Sequence, residues 1–218
     1  MQDAIPRHSA IVRLTHWLNT LSFLCLWISG VGILLSHPRF YWGESGGVGG
    51  PSLFDLPLPF MLGGPSGWGR YMHFQSAWLC VLTGILYVAT GFASRHFQRN
   101  VTPAARDLTW SAMWQALTES TSADYNPLQR VTYLAVIFGL FPFMIWTGLA
   151  MSPAVTSVFP QLVDVLGGHQ TARTLHFFAS VALVMFALGH VVMVWRAGFR
   201  KRTAAMITGR DAPSMEEV

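Results

Sequence analysis

The stretch TARTLHFFASVALVMFALGHVVMVWRAG, residues 171–198, is long and apolar enough to cross a membrane as one helix, yet it contains His176 and His190. A polar ring placed in hydrocarbon costs free energy unless something bonds it. Each of these two rings therefore needs a partner. Their spacing of fourteen residues, at about 100° per residue, comes to roughly 1400°, about 40° short of four turns. Both rings thus lie on one helix face, about 21 Å apart along the axis.

The rest of the chain has the same character. Of 218 residues, 52% are hydrophobic and only 11% charged, with a mean hydropathy of +0.40, whereas soluble domains carry about 25% charged residues. Four apolar runs, about 11–35, 71–93, 131–151 and 174–195, can each span the roughly 30 Å of a bilayer's hydrocarbon. These features define an all-α integral membrane protein, an antiparallel four-helix bundle forming one domain over residues 1–218. The first run is too long for the apolar region of a cleaved signal peptide and is read as a retained signal anchor. Cys25 and Cys80 lie inside apolar runs and read as small buried hydrophobes. No Cys-x-x-Cys-His occurs, which excludes covalent c-type haem attachment.

Orientation follows from the basic residues beside the spans. Eleven of them (Arg7, Arg13, Arg95, Arg99, Arg106, Arg130, Arg196, Arg200, Lys201, Arg202 and Arg210) fall on one side, and three (Arg39, Arg70 and Arg173) on the other. Both termini are therefore expected in the cytoplasm of a bacterial cell, with the chain in the inner membrane. The net charge of +4 reflects this asymmetry and calls for no nucleic acid.

The outer segment, 36–70, is too rich in Gly and Pro for long regular elements and too apolar for a solvated tail, so it reads as a structured cap. In the cytoplasmic segment, 94–129, Leu108, Trp110, Met113, Trp114 and Leu117 follow helical spacing, the pattern of a short interfacial helix. Pro142 should kink the third span. Residues 199–218 read as a loose polar tail.

Four of the eight histidines lie within spans: His16, His73, His176 and His190. Alternating topology sorts them by depth, His73 with His176 on the outside and His16 with His190 on the inside. Each pair offers two ligands, too few for structural zinc, which takes about four. A proton relay would need carboxylates, and the four spans contain no Asp or Glu. Haem takes two axial imidazoles and four nitrogens from its own ring, so two pairs match two b-type haems. Arg13, Arg70 and Arg173 each stand three residues before a proposed ligand, where an arginine can reach a haem propionate. Gly30, fourteen residues after His16, falls at the level of the outer haem, and Gly84 and Gly91 are expected to carry the second helix past the inner one. Helix packing alone would also account for such small residues.

With RLTHW at 13–17, a histidine opening the second span and His-x13-His in the fourth, the chain resembles the di-haem cytochrome b561-type membrane subunits, among them the b-type cytochromes of nickel–iron hydrogenases and the formate dehydrogenase gamma subunits. The resemblance covers roughly residues 7–200. It implies that His16 and His190 bind the inner haem and His73 and His176 the outer. In finer detail FYWGESG, LFDLP, MIWTGLAMSP and TARTLHFF are similar to bacterial cytochrome b/b6-domain proteins, which implies a periplasmic, sulfite-oxidase-like molybdopterin oxidoreductase as partner. Iron held by two histidines has no open position, so the expected role is outer-sphere electron transfer between such a partner and membrane quinone. The chain is then an electron-transfer subunit rather than a catalyst by itself, and a homodimer within a larger complex is compatible with that role. The resemblance implies a quinone site beside the inner haem, where Asn126, Gln129 and Arg130 stand. An alternative is a stand-alone superoxide:quinone oxidoreductase of the same four-helix plan, which would need a cationic outer funnel.

Overall fold

The computed structural model describes residues 9–46, 50–58, 67–103, 108–118 and 127–209. Helix α1 (Ala10–Ser36) is followed by two short antiparallel strands, β1 (Arg39–Phe40) and β2 (Phe54–Asp55), paired Arg39 to Asp55 and Phe40 to Phe54. Helix α2 (Gly67–Ala93) leads to a π-helical turn at Phe97–Val101 and to α3 (Trp110–Thr118). The third membrane-length segment is α4 (Pro127–Ala135), a π turn at Val136–Leu140 and α5 (Phe141–Ala150). Short helices α6 (Pro153–Thr156) and α7 (Gln161–Asp164) precede the long α8 (His169–Arg196) and a final α9 (Phe199–Thr208). Four helical segments, Ala10–Ser36, Gly67–Ala93, Pro127–Ala150 and His169–Arg196, are long and apolar enough to cross a membrane. Each begins one to five residues before its expected run and ends within one residue of it, the scatter usual for helix ends.

The chain divides into two compact units: 1–24, 76–133 and 187–218 form one, and 25–75 with 134–186 the other. Each contains part of every membrane-length segment.

Polarity runs opposite to that of a soluble protein. Large apolar side chains such as Leu21, Ile28, Leu82, Ile85, Met185 and Val191 are exposed, while Thr15, Ser22, Ser29, Thr83, Thr147 and Thr174 are buried. That is the stable arrangement in lipid, where apolar surface needs no cover and small residues let helices approach. Most of these buried hydroxyls are satisfied by their own helices, Thr15 donating to Ile11, Ser22 to Leu18 and Thr83 to Leu79.

At Pro142 the third segment carries a π turn just before the proline. Proline has no N–H to offer the carbonyl four residues back, and the π turn Val136–Leu140 lies immediately before the segment that contains it. The described residues of the outer segment pack on the fourth membrane-length helix. Phe40 is buried in a stack with Phe54 and Phe177, ring centroids 4.7 and 4.5 Å away. In α3 the side chains of Trp110 and Trp114 are exposed, as an interfacial helix requires; those of Met113 and Leu117 lie outside the described residues.

Two expectations are corrected. Residues 199–208 are not a loose tail but α9, entered through Gly198 at φ +92°. Its carbonyls accept from the first helix, Arg13 Nη1 donating to Ile207 at 2.7 Å and Trp17 Nε1 to Met206 at 3.0 Å. Gly91 does not clear room for a cofactor; a Cβ there would run into the ring of Phe97, which is buried. Gly84, by contrast, faces open space. Replacing Gly91 with Ala should displace the Phe97 ring and cost about 1–3 kcal/mol, read as a lowered thermal midpoint in detergent, whereas Gly84→Ala should leave it unchanged.

Candidate haem-binding sites

The N-terminus of α8 carries His176 and is held by the outer loop. The first N–H groups of a helix lack partners within it, and the carbonyl of Gly43 accepts from Gln170 and Thr171 at 3.0 and 3.3 Å. Glu44 accepts from the His169 N–H at 3.2 Å, a carboxylate favoured by the helix dipole. Thr171 returns a bond to the loop by accepting the Gly43 N–H at 2.8 Å, and Thr174 donates to the Tyr41 carbonyl at 2.7 Å. Gly168, at φ +115°, lets the chain pass against the Gly43 backbone, where a Cβ would come within 2.6 Å. The residues read from sequence as FYWGESG are thus a clip on α8.

In the unit that contains this clip, the rings of His73 (α2) and His176 (α8) face each other with centroids 6.3 Å apart and planes at 62°. In the other unit His16 (α1) and His190 (α8) stand 6.4 Å apart at 54°. The structure therefore brings together the same two pairs that depth suggested. Two metal–nitrogen bonds of about 2.0 Å each, plus the distance from each nitrogen to its ring centre, span about that gap. Among the described residues no group of three or more His, Cys, Asp or Glu could hold a metal ion. Two ligands per site fit a cofactor that brings its own equatorial nitrogens.

The far side of three rings is bonded to hydroxyls. Ser29 lies 3.0 Å from Nδ1 of His73, Thr147 2.9 Å from Nδ1 of His176, and Tyr133 3.2 Å from Nδ1 of His190. A ligating histidine needs its other nitrogen held in this manner. Gly30 lies against His73, where an added Cβ would sit 3.7 Å from Cε1, and Gly148 lies against His176 at 3.4 Å. Ser29, Thr147, Tyr133 and Gly148 are absent from the sequence reading. The available signal was a hydroxyl residue directly before a glycine inside an apolar run, at Ser29–Gly30 and Thr147–Gly148.

The arginines are placed less simply. Arg173 donates to the His37 carbonyl at 2.5 Å and lies 5.1 Å from the Phe40 ring centre, a contact with the outer cap. Arg13 engages α9, while its buried Nε has no hydrogen-bond partner among the described residues. Arg70 is exposed.

Membrane-length helices carrying paired histidines are the mark of a membrane b-type cytochrome. The chain belongs to the prokaryotic cytochrome b561 family, whose model matches residues 7–209. It is 31% identical over 207 residues, 93% of this chain and 96% of the relative, to a protein of Azospira oryzae provisionally named protein-methionine-sulfoxide reductase subunit YedZ1. A protein of Cupriavidus necator, provisionally named Ni/Fe-hydrogenase B-type cytochrome subunit, is 26% identical over 220 residues, 92% of this chain and 83% of that one. The Escherichia coli protein provisionally named cytochrome YdhU is 26% identical over 206 residues, 88% of this chain and 68% of its own. No solved structure matches the chain significantly. The protein is thus a multi-pass membrane cytochrome that binds haem b and serves electron transfer in a membrane redox complex.

Arg173→Gln removes the charged donor from the His37 carbonyl, a bond of net worth about 1 kcal/mol, so local opening of the cap should rise about fivefold. Limited tryptic cleavage at Arg39 measures it, and an unchanged rate would mean that Arg173 does not hold the cap.

Proposed function

We propose that this chain is the di-haem subunit that carries electrons between an extracytoplasmic redox enzyme and the quinone pool of the bacterial inner membrane, with both termini in the cytoplasm. The observation that carries it is the pair of facing imidazoles in each unit, 6.3 and 6.4 Å between centroids. His73 with His176 and His16 with His190 are the proposed axial ligands, and haem b bound at each pair would supply one-electron chemistry. Hydroxyls on Nδ1 orient three of the four rings so that Nε2 is the ligating atom. The buried Nε of Arg13 and the exposed guanidinium of Arg70 are the proposed partners of propionates, and Gly30 leaves room beside His73. Arg173, engaged with the cap, would contribute through its position at the head of α8.

The direction of flow is open in this reading, because two ligands on each iron favour electron transfer in either sense. Relatives named for a methionine-sulfoxide reductase and for hydrogenases support a redox enzyme as partner, the molybdopterin oxidoreductase being the specific proposal. Gln129 and Arg130 in the first turn of α4 are candidates for the quinone site; Asn126 lies outside the described residues. The stand-alone superoxide reading is weakened. It needs several free outer cations, yet of the three only Arg70 is exposed without such a contact described, Arg39 being paired with Asp55 at 3.5 Å and Arg173 bonded to the His37 carbonyl.

A pyridine haemochrome assay on the purified protein should find about two protohaems per chain. His16→Ala, His73→Ala, His176→Ala and His190→Ala should each lower that by about one. Retention of both haems in any of the four refutes that ligand.

A further inference from the structure

His73 and His176 are gripped in the same way by neighbouring helices. Ser29 and Gly30 of α1 meet His73, the hydroxyl at Nδ1 and the glycine at Cε1. Thr147 and Gly148 of α5 meet His176 through the same two ring atoms. One dipeptide pattern, a hydroxyl residue followed by glycine, thus holds both imidazoles of the pair.

The helix carbonyls beside these hydroxyls favour one polarity for the bonds. Ser29 Oγ donates to the Cys25 carbonyl at 2.6 Å, and Thr147 Oγ1 to the Phe143 carbonyl at 3.0 Å. A hydroxyl has one proton, so with that proton on a carbonyl the oxygen accepts from the imidazole. Nδ1 then carries the ring proton, and Nε2 keeps a lone pair directed away from the clamp. Both Ser29 and Thr147 are 0% exposed, so water does not compete for these bonds. An Nδ1–H held by an acceptor makes the ring a stronger donor through Nε2, which favours the ferric state of an iron bound there.

We propose that Ser29–Gly30 and Thr147–Gly148 are matched clamps that fix the tautomer of His73 and His176 and hold the potential of the haem between them low. The proposal rests on the ligation proposed above. Ser29 and Thr147 act through the imidazoles and are positioning residues.

Redox titration of the purified, haem-loaded protein tests this, with the haem in question identified as the one missing from His73→Ala. Ser29→Ala and Thr147→Val should each shift its midpoint potential in the positive direction, the double variant further than either. The other haem's midpoint should not move, and Thr147→Ser, which restores the hydroxyl, should return the wild-type value. The ferric low-spin EPR signal of the same haem should change with the potential. Thr147→Val keeps the shape of the buried side chain, so it carries the test if Ser29→Ala fails to assemble. A negative shift, equal shifts at both haems, or unmoved potentials with full haem content overturn the proposal. Retention of two haems in both His73→Ala and His176→Ala overturns the ligation instead, a result that haem counting separates from an unmoved potential.

Discussion

An imidazole among membrane helices has two nitrogens to satisfy, and no water is at hand to do it. In this chain one nitrogen of His73, of His176 and of His190 is met by a hydroxyl from another helix, so the opposite edge of each ring points at a second imidazole. Much else serves that arrangement. Glycines beside two of the rings keep the neighbouring backbone close, and the outer loop fixes the start of α8, which contributes a histidine to each pair.

Ser29 and Thr147 can serve the histidines because each is already satisfied once. Buried Ser and Thr in these helices donate back to the carbonyl of the preceding turn, leaving an oxygen free to accept. The same back-bonding explains how so many small polar residues occupy the interior while Leu, Ile and Val face outward. Interior polarity here is a property of pairs and turns, not of isolated residues.

Hydropathy alone located the four membrane segments, since the requirement that backbone groups bond internally leaves lipid few alternatives to a long helix. The grouping of the histidines was legible too, because alternating topology converts position along the chain into depth. The hydroxyl partners were not legible. Thr83–Gly84 shows the same hydroxyl–glycine pattern as Ser29–Gly30, yet its hydroxyl meets Asn19, and only the rotation of α1 against α2 puts Ser29 on His73. For a related reason the spacing that put Arg173 one turn before His176 gave no sign of its contacts with the loop carbonyl of His37 and the Phe40 ring. Gly91 reads like Gly30, yet a phenyl ring from the following π turn fills its space. The tail misled because its charges mask short-range helical order that becomes visible only where Met206 and Ile207 meet the first helix.

That last junction bears on the order of synthesis. The guanidinium of Arg13 and the indole of Trp17 belong to α1, translated well before α9, yet their acceptors are the carbonyls of Ile207 and Met206. His16 likewise stands opposite a residue translated some 170 positions later, His190. Arg13 and Trp17 therefore lack these acceptors until α9 has been made, and the N-terminal end of α1 is completed by residues translated long after it.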